Sequence, residues 1–180
     1  MLQTLMSIAE AEAGVMKLNR VPTDLGELMK EAADLYEQVA DEKAIRLRLD
    51  MRPSSIAMID GHHIRLVLAN LLDNAIKYSD SGSEVTMRSY RRGDVMVVSV
   101  QDQGVGILDG DKDKIWDRLY RADKSRTQRG LGLGLSLVKA VVEAHQGRVE
   151  VESQPGNGSN FLLFLPVDMP PRFSHPSARD

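Results

Sequence analysis

Between His63 and Ser79 the chain reads HIRLVLANLLDNAIKYS, and this run constrains the fold more than any other. Ile64, Val67, Leu68, Leu71, Leu72, Ala75 and Ile76 recur at three and four, which makes one apolar arc on a helix. At about 100° per residue, Asn70, Asn74 and Lys77 fall within about 60° of one another on the rim of that arc, with Tyr78 beside them. The helix therefore buries one side and carries two carboxamides, an ammonium and a phenol along one edge. Asparagine is a mediocre helix former, so two of them a turn apart need a reason. One reason is a solvated rim. The other is chemical: an amide oxygen can ligate a hard cation such as Mg²⁺, and Lys77 can neutralise a phosphate beside it.

Around this helix the elements alternate in type. Residues 1–16 read as a helix with Leu2, Leu5, Met6, Ala9, Ala13 and Met16 as its apolar stripe, without a cap before Leu2. Gly14 and the stretch Asn19 to Pro22 break it, and Asp24-x-x-Glu27 opens a second helix running to about Lys43 as a capping-box-like pair. Ile45–Asp50 alternates as a strand, Ser54–Ile59 reads as another, and Asp60 is placed to cap the central helix. Glu84–Tyr90 and Asp94–Gln101 form a hairpin through Arg91-Arg92-Gly93. Residues 107–129 are polar and irregular, with a helical patch at Ile115–Tyr120. A helix then runs from Gly134 to Gly147, followed by strands Arg148–Ser153 and Asn160–Leu165, and residues beyond Pro166 read as a disordered tail.

Composition narrows the function classes. With 180 residues the chain suits one domain with an appended element, and a net charge of −3 argues against a broad nucleic-acid surface. Cysteine is absent, which removes disulfides, thiolate nucleophiles and cysteine metal sites. No apolar run approaches about 18 residues, so the piece is expected to be soluble, without membrane contact of its own.

Two further stretches carry chemistry. Asp102 to Gly106, DQGVG, follows a strand whose inward face is Met96, Val98 and Val100, with Asp102 next in that period. It reads either as an exposed acid in a glycine turn or as a carboxylate that accepts from an adenine amino group, with glycines allowing close approach. GLGLGLSLVK opens a helix with Gly130, Gly132 and Gly134 at alternate positions. It is either a hinge or an anion site at a helix N-terminus. A P-loop is absent from the sequence.

In this order the motifs resemble the ATP-binding catalytic domain of bacterial sensor histidine kinases. NLLDNAIKYS is similar to the N box, DQGVG to the first glycine box, IWDRLYRADKSR to the F box, GLGLGLSLVK to the second glycine box and PGNGSNF to the last glycine-rich element. AEAEAGVMKL resembles the end of the second dimerisation helix. Trp116 and Leu119 stand where phenylalanines are more usual in the F box, and Gln146 replaces the first glycine of a common HGG ending.

The resemblance implies a two-layer α/β sandwich, with a mixed, largely antiparallel sheet under helices. It divides the chain into a helix end and connector (1–19), a catalytic domain (20–166) and a tail (167–180). It makes Asn74 the Mg²⁺ ligand with Asn70 beside it, Lys77 a phosphate contact, and Tyr78 a pocket residue. Asp102 reads the adenine amino group with Gly104 and Gly106 as its wall, and Arg121 approaches the terminal phosphate. Gly130, Leu131, Gly132, Leu133 and Gly134 hold the phosphate end, and residues 107–129 form an ATP lid. The implied cofactors are ATP and Mg²⁺. The implied partners are a dimerisation domain that supplies the phosphoacceptor histidine and a response regulator, in a homodimeric protein whose cytoplasmic part this is. His62, His63, His145 and His175 all lack the acceptor setting of a histidine followed by an acid on a dimerisation helix. The rival readings are a regulatory nucleotide-binding module, or a serine kinase or ATPase on the same fold.

Overall fold

The computed structural model describes residues 2–52, 55–121 and 131–167. The central helix, α3, spans Gly61–Tyr78 and is capped by Asp60, whose side chain accepts from the His63 amide. Its buried residues are Ile64, Val67, Leu68, Leu71, Leu72, Ala75 and Ile76, the seven of the expected arc. Fully burying a side chain of this size stabilises by roughly 1.5–3 kcal/mol, so the arc fixes which way the polar edge faces. Asn70, Asn74, Lys77 and Tyr78 are all half-buried at that edge.

Before α3 come α1 (Leu2–Glu12), β1 (Val21–Asp24), α2 (Leu25–Glu42), β2 (Arg46–Met51) and β3 (Ile56–Ile59). After it come β4 (Glu84–Arg92), β5 (Val95–Gln101), α4 (Gly134–Ala144), β6 (Arg148–Ser153) and β7 (Ser159–Pro166). Strands β2-β4-β5-β7-β6 lie side by side in one sheet. The β2–β4 pair is parallel, as a crossover through α3 requires, and the other pairs are antiparallel. Met96, Val98 and Val100 of β5 and Phe161, Leu163 and Leu165 of β7 face the helices α2, α3 and α4 in one core. The expected sandwich is therefore present, with its sheet mixed and largely antiparallel.

Four local expectations change. Val21 and Pro22, read as part of the break from Asn19 to Pro22, belong to a strand, Val21–Asp24, that pairs antiparallel with β3, so that β1 and β3 form a separate two-stranded sheet. Proline sits at this edge because it has no amide to donate. The hairpin turn is shorter than expected: Arg92 pairs with Val95 across Gly93-Asp94, and Gly93 has φ 62°. Asp24 caps α2 through the Gly26 amide, while Glu27 pairs with Lys30 at 3.0 Å instead of closing a capping box. The helical patch at 115–120 is only a 3₁₀ turn at Lys114–Trp116, preceded by another at Asp109–Asp111. Ser54 and the tail beyond Val167 lie outside the described residues.

Helix α1 packs against α4 by a face other than the expected stripe. Ile8 is fully buried, with Ala11 beside the core, whereas Leu2, Leu5 and Met6 remain exposed. Periodicity locates an apolar stripe but does not say which neighbour takes it.

A buried polar node ties this N-terminal part to the sandwich. The Asn19 amide donates to Asp60 Oδ2 at 2.9 Å, and the Arg20 guanidinium donates to the Ala144 carbonyl at the end of α4. His145 is 2 % exposed. Its Nε2 accepts from the Asp60 amide at 3.0 Å while Nδ1 donates to the Val141 carbonyl at 2.8 Å, which fixes the neutral tautomer. His63 Nδ1 lies 3.1 Å from Asp60 Oδ1. Burial works against the Asp60 carboxylate, but the Asn19 and His63 amides and the His63 ring outweigh it and hold its pKa down. Burial depresses the His145 pKa, with Arg20 and His63 adding to it and the Val141 carbonyl and Asp60 opposing.

A depressed histidine favours the neutral form in the folded state. Its contribution is complete above the ordinary value of 6.5 and is lost as pH falls below it toward the lowered folded value. Urea unfolding of the wild type should therefore lose stability from about pH 6.5 downward, and His145→Gln should flatten that loss. An equal slope in both proteins would remove His145 as its source.

Candidate nucleotide site

Three segments converge on the polar edge of α3. The first is the start of α4. The N-cap residue Leu133 offers no side-chain hydrogen bond to the N-terminus of that helix. A Cβ built on Gly134 would lie 2.9 Å from Asn70 Oδ1 and 3.8 Å from Asn74 Nδ2. The two carboxamides thus sit directly against a helix N-terminus, where backbone amides and the helix dipole favour an anion. Asn70 also donates to the Leu66 carbonyl at 2.8 Å, which orients its oxygen away from its own helix backbone.

The second segment is the D-x-G-x-G loop. Asp102 is 5 % exposed, and its Oδ1 accepts from the Gly104 amide at 2.8 Å and from the Ser159 amide at 3.2 Å. Among the described residues, Oδ2 accepts no hydrogen bond. Burial raises the Asp102 pKa, against the pull of those two amides. The glycines here are required by the chain itself. A Cβ on Gly104 would stand 2.3 Å from the Tyr78 carbonyl oxygen, and one on Gly106, at φ 68°, 2.0 Å from the Gln154 carbonyl oxygen. The loop is clasped between the end of α3 and the β6–β7 turn, with the Val105 amide donating to the Tyr78 carbonyl at 3.3 Å.

The third segment comes from the region expected to be the lid. The Leu119 amide donates to the Gly132 carbonyl at 2.9 Å, and a Cβ on Gly132 would meet the Tyr120 carbonyl oxygen at 2.6 Å. Trp116 packs edge-on to Phe161 at 5.9 Å, so a residue other than phenylalanine still anchors this segment to the core. The Tyr120 hydroxyl donates to Asp111 Oδ1 at 2.7 Å, and Arg118 pairs with Glu12 at the end of α1. Arg121 and the exposed Leu131 flank the undescribed stretch, and Gly130 lies outside the described residues, as do positions 122–129.

Asn70, Asn74, Tyr78, Gly104 and Gly134 are thus in one neighbourhood, and the Lys77 ammonium lies 4.9 Å from the Tyr78 ring centre. Asp102 bounds it beyond Gly104, whose built Cβ would be 3.0 Å from the carboxylate. An open cleft of about 910 Å³ is lined by Asp102, Asp109, Lys112 and the β6–β7 turn. Among the described residues Asp102 is the one expected site residue that lines it. Sequence reasoning missed two participants. Ser159 follows the turn glycine Gly158 and supplies the second amide to Asp102. Lys43 sits where α2 ends and reaches the end of α3.

A single helical layer over a mixed sheet matches the fold of solved histidine-kinase catalytic domains. Residues 59–169 match the family of histidine kinase-, DNA gyrase B- and HSP90-like ATPases, and the chain belongs to that family. It is 35 % identical over 170 residues to the sensor-like histidine kinase SenX3 of Mycobacterium tuberculosis, covering 93 % of this chain and 41 % of that protein. Full-length ShkA, solved in complex with AMPPNP, superposes with a TM-score of 0.82 at 25 % identity over 92 % of this chain and 35 % of its own. The mycobacterial sensor histidine kinase MprB gives a TM-score of 0.71 at 28 % identity, over 82 % of this chain and 97 % of that one. The chain thus spans less than half of the curated relative. No helix among the described residues is long and apolar enough to cross a membrane.

Proposed function

We propose that this chain binds ATP with Mg²⁺ and presents the γ-phosphoryl group to a histidine on a dimerisation segment, for relay to an aspartate of a response regulator. The observation that carries this reading is that Asn70 and Asn74 line the N-terminus of α4, while the loop of the buried Asp102 packs through Gly104 on the Tyr78 carbonyl at the end of the same helix. Phosphoryl transfer asks a protein mainly for positioning and charge neutralisation, which a helix N-terminus, carboxamides, Lys77 and Arg121 can provide. Asp102 would accept from the adenine amino group through its free oxygen. Gly104, Gly106 and Tyr78 would shape the base pocket, and Gly130 to Gly134 would face the phosphates.

Among the described residues no group of three or more His, Cys, Asp or Glu could hold a metal. The Asn70 and Asn74 carboxamides beside Gly134 fit Mg²⁺, which commonly takes one or two protein oxygens and completes its shell with phosphates and water. Asn74 would provide the protein oxygen, and the ion would supply charge neutralisation between phosphate oxygens.

The segment 1–19 is read as a helix end and connector, and 20–166 as the catalytic unit. The exposed Leu2, Leu5 and Met6 support this division, because they form an apolar face that the sandwich leaves uncovered. The whole protein is read as a homodimer whose cytoplasmic part includes this chain. His145 is committed through both ring nitrogens and His63 adjoins Asp60, so neither suits phosphoryl acceptance.

The test is transfer in trans. Incubated with labelled ATP and Mg²⁺, the chain should bind nucleotide and acquire no acid-labile label. With a separate dimerisation segment bearing a histidine-acid pair, that segment should be labelled slowly. Tethering, which normally gives an effective concentration in the millimolar range (about 1 mM), is absent from such a mixture. Label on serine would favour a serine kinase, and binding with no transfer to any such segment would favour a regulatory module.

A further inference from the structure

We infer that Lys43 is a positioning residue for the nucleotide site, setting the spacing between the carboxamide edge of α3 and the Asp102 loop; this rests on the nucleotide-site reading above. Helix α2 ends abruptly. The Ala44 amide donates to the Asp41 carbonyl at 2.8 Å and the Ile45 amide to the Ala40 carbonyl at 2.8 Å, with Ala44 left-handed at φ 53°. This is a Schellman end, closed by the buried Ile45, and it gives Lys43 one direction to leave the helix.

The Lys43 ammonium reaches the C-terminus of α3. It donates to the carbonyls of Ile76 at 2.8 Å, Lys77 at 3.1 Å and Ser79 at 3.3 Å. An ammonium has three donors, and all three are used. A helix leaves its last four carbonyls without helical partners. Here Ala75 receives the Ser79 amide, Ile76 and Lys77 receive Lys43, and Tyr78 receives the Val105 amide. Among the described residues the end of α3 is thus completed from two sides. One is Lys43, and the other is the loop that carries Asp102.

The two sides are coupled by close packing. Gly104 rests on the Tyr78 carbonyl so tightly that a Cβ there would lie at 2.3 Å. Any shift of residues 76–79 moves Lys77 and Tyr78, and carries Gly104 and the Asp102 carboxylate with it. A positive charge at a helix C-terminus is also favourable by the helix dipole. All three of these acceptors of the Lys43 ammonium are backbone carbonyls, so it acts through the backbone of α3.

The experiment compares the wild type with Lys43→Met, which keeps the aliphatic stem and removes the donors, and Lys43→Gln, which keeps one neutral donor. Lys30→Met, on the exposed side of α2, is the control. ADP binding is read by calorimetry, and amide exchange at Ser79 and Val105 by NMR. Lys43→Met should weaken ADP binding about tenfold, the size expected when charge-assisted hydrogen bonds are lost. Exchange at Val105 should quicken, and Lys43→Gln should fall between. A folded Lys43→Met with a lower melting temperature but unchanged ADP affinity makes Lys43 a helix cap only and overturns the inference. If Lys43→Met does not fold, Lys43→Gln decides: wild-type affinity in that folded variant overturns the inference, and weakened affinity supports it. A wild type that fails to bind ADP would instead bring down the nucleotide-site reading itself.

Discussion

Asp102→Asn is expected to weaken adenine-nucleotide binding by about 1–3 kcal/mol, the range for disturbing a buried polar pair, while the unliganded protein becomes no less stable near neutral pH. Both effects come from one carboxylate. Its Oδ1 is taken by the Gly104 and Ser159 amides, and an asparagine oxygen can accept those same two bonds. The second oxygen becomes an NH₂ group, a donor facing a donor if an adenine amino group lies there. Burial raises the Asp102 pKa, so the folded state prefers the protonated acid. The favourable contribution of this group is complete below the ordinary value of 3.8 and is lost as pH rises through its raised folded value. At neutral pH the unliganded fold therefore carries a disfavoured buried charge that asparagine does not have. Urea titrations at pH 7 and pH 4 should show the variant gaining relative to wild type only at the higher pH, and calorimetry with ADP should show its loss. Unchanged ADP affinity in the folded variant would remove Asp102 from the site. Asp102→Ala would not serve, because it strands two buried amides and confounds folding with binding.

Most of the fold was legible because its determinants are local. The arc of α3 follows from a spacing of three and four, and its seven residues are the ones buried. The inward period of β5 carries Met96, Val98 and Val100 to Asp102, and the structure buries all four. What escaped depends on partners distant in sequence. Strand β1 is four residues with a proline and becomes a strand only because β3 lies beside it. The stripe on α1 was found, yet Ile8 is the residue buried in the core with Ala11 beside it, a choice set by where α4 lies and not by the periodicity of α1.

The site was legible in its residue types and less so in the work they do. The glycines of DQGVG suggested close approach of a ligand. In the structure Gly104 and Gly106 accommodate the carbonyls of Tyr78 and Gln154, a demand made by neighbouring chain. Gly134 differs, because its neighbours are the Asn70 and Asn74 side chains on the polar edge. Lys43 gave no signal as a lysine near a helix end, and its three acceptors are more than 30 positions away. Ser159 contributes a backbone amide, which no side-chain motif announces.

The second large effect belongs to Asn74. Asn74→Ala should reduce phosphoryl transfer to a dimerisation segment by about 10²–10³-fold, the scale of losing one group that stabilises transition-state charge. Adenosine affinity should hardly change. Asn74 lies on the edge that faces Gly134, a full turn before Tyr78, whereas the adenine reading rests on Asp102 beyond Gly104. The helix should tolerate the change, because Asn74 is half-buried at the rim and alanine is the better helix former. If Asn74 gives Mg²⁺ its protein oxygen, ATP binding by the variant should also lose most of its dependence on Mg²⁺, while wild-type binding keeps it. Three measurements separate the possibilities: calorimetry with adenosine, calorimetry with ATP across a Mg²⁺ series, and the transfer rate. Equal loss for adenosine and ATP would mean that α3 has shifted, and the ligand assignment would fail. Lost transfer with intact Mg²⁺ dependence would leave Asn74 beside the transferring group but make another oxygen the ligand. Asn70, whose oxygen faces the same helix end, is the next residue to test in that case.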